Sequence, residues 1–127
     1  MSTIKTFTDI EQSKKLKEML PIDTADHCFL NDGTAIKAEI NSYAVAIKLW
    51  KEYYIEIIPC WSLASLLDIL SKTAHSIDED GSVDLCDYKN IEWSLCLTNT
   101  SVGLVTANNP IDACYQMILK LNELNLL

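Results

Sequence analysis

Apolar and polar positions alternate and cluster along this chain in ways that predict a short run of helices and strands. At the amino end, Thr8-Asp9-Ile10-Glu11 fits a capping box, in which two side chains satisfy orphan amides at a helix start. Ile10, Leu16, Met19 and Leu20 then share a face, so the spacing predicts a helix over about residues 9–20, ended by Pro21. Asn31-Asp32-Gly33 is a natural hairpin turn, because Asp and Gly tolerate the positive φ of a tight turn. It would join a strand over 27–30 to a second run starting at Thr34.

The stretch from 36 to 50 satisfies two periods at once. Ile36, Ala38 and Ile40 alternate with polar residues, and Tyr43, Val45, Ile47 and Leu49 alternate again, as in strands. Ile36, Ile40, Tyr43, Ile47 and Trp50 also fit helical spacing, and four alanines between residues 35 and 50 favour a helix. The β-branched and aromatic content, with a turn at Asn41-Ser42, tips the reading toward strands. Residues 53–57 read as a further strand. Pro59 then opens a helix that carries Leu63, Leu66, Leu67 and Leu70 on one stripe.

Asp78-Glu79-Asp80-Gly81 is a solvated turn, and three short strands follow it. The clearest covers 91–98, where Ile91, Trp93, Leu95 and Leu97 face one way and Glu92, Ser94, Cys96 and Thr98 the other. Asn99-Thr100-Ser101 turns the chain into a strand over 102–106. The last helix is the best marked: Asn109 caps it, Pro110 takes its first position, and Ile111, Cys114, Met117, Ile118, Leu121 and Leu124 form its apolar stripe. The predicted fold class is α+β, an antiparallel sheet including a C-terminal three-strand meander, with about three helices packed on one face. Without repeats or a Pro/Gly-rich linker, the 127 residues read as a single domain.

Composition narrows the functional classes. Hydrophobic residues at 49% and charged residues at 22% describe an ordinary globular chain with core enough to fold without metal or disulfide staples. No apolar run is long enough to suggest a membrane span, and the first residues form no signal-peptide pattern, so the expected setting is cytoplasmic and no membrane partner is expected. A net charge of −8 with scattered lysines and no basic run argues against nucleic acid as a partner. Five cysteines at 28, 60, 86, 96 and 114, an odd number with no C-x-x-C pair, read as reduced thiols, most of them buried.

Candidate chemistry is sparse. Asp78, Asp80, Asp84 and Asp87 fall within residues 76–87 at positions of a calcium-loop pattern, which needs oxygen ligands at alternating positions and Gly for the sharp turn. Ser76 replaces its first Asp and Asp87 shortens its final Glu, so a solvated acidic turn is the plainer reading and no tight calcium binding is expected. His27 and Cys28 are neighbours on a predicted strand and so point to opposite faces. His75 lies near Asp78 and Glu79. No local string assembles a nucleophile, a base and an orienting group, and no cofactor is expected. Trp50, Trp61 and Trp93, with Tyr43, Tyr53, Tyr54 and Tyr88, could form an interaction surface, although at least two of the tryptophans are expected in the core.

Three segments carry a resemblance. Ile58-Pro59-Cys60-Trp61-Ser62-Leu63-Ala64-Ser65-Leu66-Leu67 is one. Asn109-Pro110-Ile111-Asp112-Ala113-Cys114, followed by Met117-Ile118-Leu119-Lys120-Leu121 and Glu123-Leu124-Asn125-Leu126-Leu127, is another. With Phe7-Thr8 and Ile10-Glu11-Gln12-Ser13-Lys14-Lys15-Leu16, they resemble a family of small uncharacterised gut-bacterial proteins often found near phage or other mobile elements. The likeness covers about half the chain and leaves out residues 27–57 and 76–106. It implies a bacterial cytoplasmic setting and an accessory role for a mobile element, and transfers no activity. Three classes follow: a non-enzymatic module that binds another protein; a small enzyme or ligand-binding protein with a pocket near Cys60, Trp61 and His75; and an acidic mimic of nucleic acid.

Overall fold

The computed structural model describes residues 5–88 and 92–127. Ile91, placed in a strand above, lies outside them, as do residues 1–4 and the side chain of Tyr88. The fold is α+β; among the described residues there are four α-helices and two three-stranded antiparallel sheets, where the sequence predicts about three helices on one sheet. The chain divides into two compact units, residues 7–65 and residues 66–127 with the segment before Phe7. None of the helices among the described residues is long and apolar enough to cross a membrane.

In the unit 7–65, helix α1 spans Ile10–Lys17. Its capping box lies one residue later than the sequence suggests: the Asp9 carboxylate accepts the Gln12 amide at 2.8 Å, and the Gln12 side chain accepts the Asp9 amide at 3.1 Å. Thr8 is committed elsewhere. It is fully buried, its hydroxyl accepts the Trp61 amide at 3.1 Å and shares a 2.7 Å bond with Ser13 Oγ, and its amide donates to the Trp61 carbonyl at 2.9 Å. α1 ends at Lys17, before Leu20, and a 3-10 turn over Ile22–Thr24 follows Pro21.

Strands β1 (His27–Asn31) and β2 (Ile36–Glu39) form the expected hairpin. Asp32 builds its turn by accepting the Thr34 amide at 2.9 Å, the Thr34 hydroxyl at 2.7 Å and the Ala35 amide at 3.0 Å. These bonds hold its carboxyl down at about 2, and Gly33 supplies the left-handed step at φ +95°.

Residues 43–50 correct the strand reading. They form helix α2 (Tyr43–Trp50), capped by the Ser42 hydroxyl, which accepts the Val45 amide at 3.3 Å. Tyr43 and Ala46, three apart, are buried, whereas Val45 and Leu49 from the alternating set are exposed. The strand expected at 53–57 sits later, as β3 (Glu56–Cys60), and Pro59 lies inside it instead of opening a helix. The sheet order β2-β1-β3 explains this: β3 is an edge, where a residue without an amide leaves no ladder bond unmade. Phe29, Ile58 and Cys60 form a buried cluster, with Phe7 and Ile10 packed against it. Trp61 follows, wholly buried, and its indole donates to the Thr24 hydroxyl at 2.9 Å. Helix α3 (Leu63–Ile77) begins after Ser62, whose hydroxyl accepts the Ser65 amide at 3.2 Å.

In the second unit, Leu66, Leu70 and Ala74 form the buried stripe of α3. β4 (Ser82–Tyr88), β5 (Glu92–Thr98) and β6 (Val105–Ala107) make the C-terminal meander in the order β4-β5-β6. β6 starts later than residue 102. Leu95 and Leu97 are buried on the face shared with Val83, Leu85, Trp93, Val105 and Ala107. Helix α4 (Pro110–Glu123) packs on β5 and β6. Asn109 caps it by accepting the Asp112 amide at 2.9 Å. Ile111, Cys114, Met117, Ile118 and Leu121 are fully buried, but Leu124 is half exposed, beyond the end of the stripe. The helix closes with Asn125 at φ 58° and the Leu126 amide on the Leu121 carbonyl at 2.9 Å, a left-handed cap.

The turn from α3 into β4 depends on Gly81. A Cβ there would stand 2.3 Å from the Ala74 carbonyl oxygen and 2.9 Å from that of Asp78, both backbone atoms that cannot swing aside. Gly81→Ala should lower stability by about 1–3 kcal/mol through this overpacking. Gly103→Ala is the contrast, since its Cβ would meet only the flexible end of Lys120, at 2.6 Å. Thermal melts of the two variants check this, with a marked loss expected for Gly81→Ala alone.

Candidate interaction surface

Asp78, Asp80, Asp84 and Asp87 do not close into a loop. Asp78 turns inward on its own segment, accepting the Asp80 amide at 2.8 Å. Asp84 and Asp87 belong to strand β4, where their odd separation puts them on opposite faces of the sheet. Among the described residues, no group of three or more His, Cys, Asp or Glu side chains is arranged to hold a metal ion. The same division of β4 keeps these carboxylates from forming one acidic face.

Cys60 and Trp61 are fully buried, so neither presents an atom to a ligand arriving from solvent, and His75 is exposed in the last turn of α3. Beside Cys60, His27 at the start of β1 and Asp26 just before it meet Ser62 at the start of α3. Asp26 accepts the Ser62 amide at 2.9 Å and the Ser62 hydroxyl, and His27 Nδ1 lies 3.1 Å from its carboxylate. Burial pushes the Asp26 carboxyl up, but the Ser62 bonds and His27 together bring it below its ordinary value. Serine, histidine and aspartate meet here in the wrong order for nucleophilic catalysis. The hydroxyl donates to the carboxylate, and the imidazole also faces the carboxylate, so no base is set against the serine. The arrangement instead satisfies an amide and a hydroxyl at the start of α3.

All five cysteines are free thiols; Cys28, Cys60 and Cys114 are buried, Cys96 is half-buried and Cys86 is exposed. Burial, with Glu39 nearby, pushes Cys28 up to about 11. Burial also pushes Cys60, with smaller effects from Cys28 and Asp26, and Cys114 up to about 12. Cys86 donates to Asp84 at 3.3 Å, and that bond and charge raise it as well. A thiol reagent on the native protein at neutral pH should therefore leave Cys28, Cys60 and Cys114 unmodified. Asp84→Asn should speed labelling of Cys86, because the thiolate is the reactive form. Peptide mapping of the labelled sites checks both outcomes.

Exposed apolar side chains concentrate between residues 36 and 55. Among the described residues, six of the eleven large hydrophobic residues that are exposed fall there: Ile36, Ile40, Val45, Leu49, Tyr53 and Ile55. Ile36 belongs to β2 and Ile40 follows it; Val45 and Leu49 are on the outer side of α2; Tyr53 and Ile55 are in the segment leading to β3. At the end of α2, Ile47, Lys48, Leu49, Lys51, Glu52 and Tyr53 line an open depression of about 370 Å³. Its lining mixes two lysines and a glutamate with apolar side chains and brings together no nucleophile and base. Of the aromatic residues singled out from the sequence whose side chains are described, Tyr53 is the exposed one. Trp61 alone of the tryptophans is buried, while Trp50 and Trp93 are half-buried, fewer in the core than expected.

A strand over residues 43–50 would set Val45 and Leu49 on one face with the buried Tyr43, so the alternation in the sequence hides their exposure. Placed on a helix with Tyr43 and Ala46 inward, Val45 and Leu49 turn outward, and that spacing was the available signal. Comparison with family models, with characterised proteins and with solved structures finds no match for this chain.

Proposed function

We propose that this chain is a non-enzymatic protein-interaction module, acting in a bacterial cytoplasm as an accessory or inhibitor protein of a mobile element. The observation that carries the interaction reading is the concentration of exposed apolar side chains in residues 36–55. Apolar surface left in water around a charged rim marks a place where another protein binds. Leu49 and Tyr53, beside Lys48 and Lys51, supply an aliphatic and aromatic anchor of the type that dominates binding energy. The mobile-element setting rests on the sequence resemblance alone. The net charge of −8 favours a protein partner over nucleic acid.

Affinity capture from the native cells tests the reading, with the wild-type chain beside the Leu49→Glu/Tyr53→Glu double variant. Both positions are exposed, so the variant should fold as the wild type does. A protein retained by the wild type and lost from the variant is the expected result. Equal capture by both chains would remove this surface from the account.

A further inference from the structure

We infer that strand β2 is a homodimerisation edge, pairing antiparallel with β2 of a second copy about a two-fold axis through Ala38. This deepens the interaction reading by naming one partner, and rests on it only for the idea that residues 36–55 form a contact surface. Among the described residues, β2 pairs with β1 alone, so its other edge is open. The edge is also uncovered: Lys37 and Ala38 are exposed, Ile36 is 43% exposed and Ile40 is 79% exposed.

The backbone sets which residues can pair. The Asp32 amide donates to the Ala35 carbonyl across the hairpin, so by alternation Lys37 and Glu39 direct their amides and carbonyls toward β1. The Asn31 carbonyl accepts the Ile55 amide on the β3 side, which independently turns Asn31 away from β2. Its partner Ile36 therefore points outward, and so does Ala38; on pairing, Ile40, one residue past the strand, takes up the same alternation. A two-fold through Ala38 lets these three exchange amide-to-carbonyl bonds with their counterparts.

The side chains fit the same axis. The segment Ile36-Lys37-Ala38-Glu39-Ile40 repeats the same order of apolar and charged positions in both directions, with the charge reversed in sign about Ala38. About Ala38, Ile36 meets Ile40 of the second copy, and Lys37 meets its Glu39. The two Lys–Glu pairs occupy non-hydrogen-bonded positions, where opposed side chains are closest. A lysine on an edge strand usually deters pairing, but here the symmetry sets a glutamate against it. In-register parallel pairing would put Lys37 against Lys37, so the charges select the closed antiparallel dimer. Five residues from each chain are few beside the roughly 20 a side of a standard interface. The dimer is thus reversible and builds up with concentration.

Sedimentation velocity of the full chain over a concentration series tests this, with circular dichroism checking that each variant folds. The wild type should dimerise as concentration rises. Lys37→Glu opposes two glutamates and Glu39→Lys opposes two lysines, so each alone should raise the dissociation constant about tenfold or more. An equimolar mixture of the two variants restores both opposite-charge pairs and should dimerise as the wild type does. A wild type that stays monomeric up to about 1 mM overturns the inference. So does dimerisation of each single variant at the wild-type concentration. If the chain is monomeric while a different protein is captured through Leu49 and Tyr53, the edge fails and the interaction reading stands.

Discussion

Replacing Ile118 or Leu121 by alanine is expected to lower stability by about 2–5 kcal/mol, through lost burial and the cavity left behind. Both side chains are fully buried on α4, within the row Ile111, Cys114, Met117, Ile118 and Leu121. The helix lies against β5 and β6, and its start is fixed by Asn109 and Pro110, so it cannot easily slide to refill a gap. Gln116→Ala, on the exposed side, should stay within about 0.5 kcal/mol. Leu124→Ala sharpens the contrast. It looks like part of the same stripe in sequence, yet it is 50% exposed and should cost much less than Leu121→Ala. Urea denaturation of the four variants measures these differences. Core variants that melt like Gln116→Ala would make the helix peripheral.

Trp61→Ala is expected to cost about 3–5 kcal/mol, the usual range for truncating a buried large aromatic residue. Trp61 has no exposed surface, and three bonds fix it: its amide and carbonyl to Thr8, and its indole to the Thr24 hydroxyl. Trp61→Phe keeps much of the apolar bulk and loses the indole donor, so it should cost less than the alanine variant. Thr24→Val removes the acceptor instead and leaves a buried indole N–H unpaired, a loss of about 1–3 kcal/mol. Denaturant melts followed by circular dichroism should rank Trp61→Ala as the most damaging of the three. If Thr24→Val is silent, the indole bond contributes nothing to stability.

What could be read from sequence follows the range of the forces involved. α4 was legible because its cap, its first-position proline and its stripe are local, and each points to the same element. The hairpin at Asn31-Asp32-Gly33 was legible for the same reason. Thr8 misled because Thr and Asp are both good caps, and Trp61, which occupies Thr8, lies 53 residues away. Pro59 misled because a proline suits a helix start and an edge strand equally, and only the sheet order makes β3 an edge. At 43–50, Ala, Val, Ile and Leu satisfy both periods, and the Ser42 cap with burial of Tyr43 and Ala46 decides for helix. The interaction surface was hidden with it, since an apolar residue carries no local mark of being left in water.

The central claim is that the chain works through the surface around α2. Site-specific photo-crosslinking in the native cells tests it most directly. A photoreactive residue placed at position 49 or 53 should join the chain to the same partner protein. The same residue at position 116, exposed on α4, should join it to none. Crosslinks from 116 to that partner with none from 49 or 53 would contradict the account.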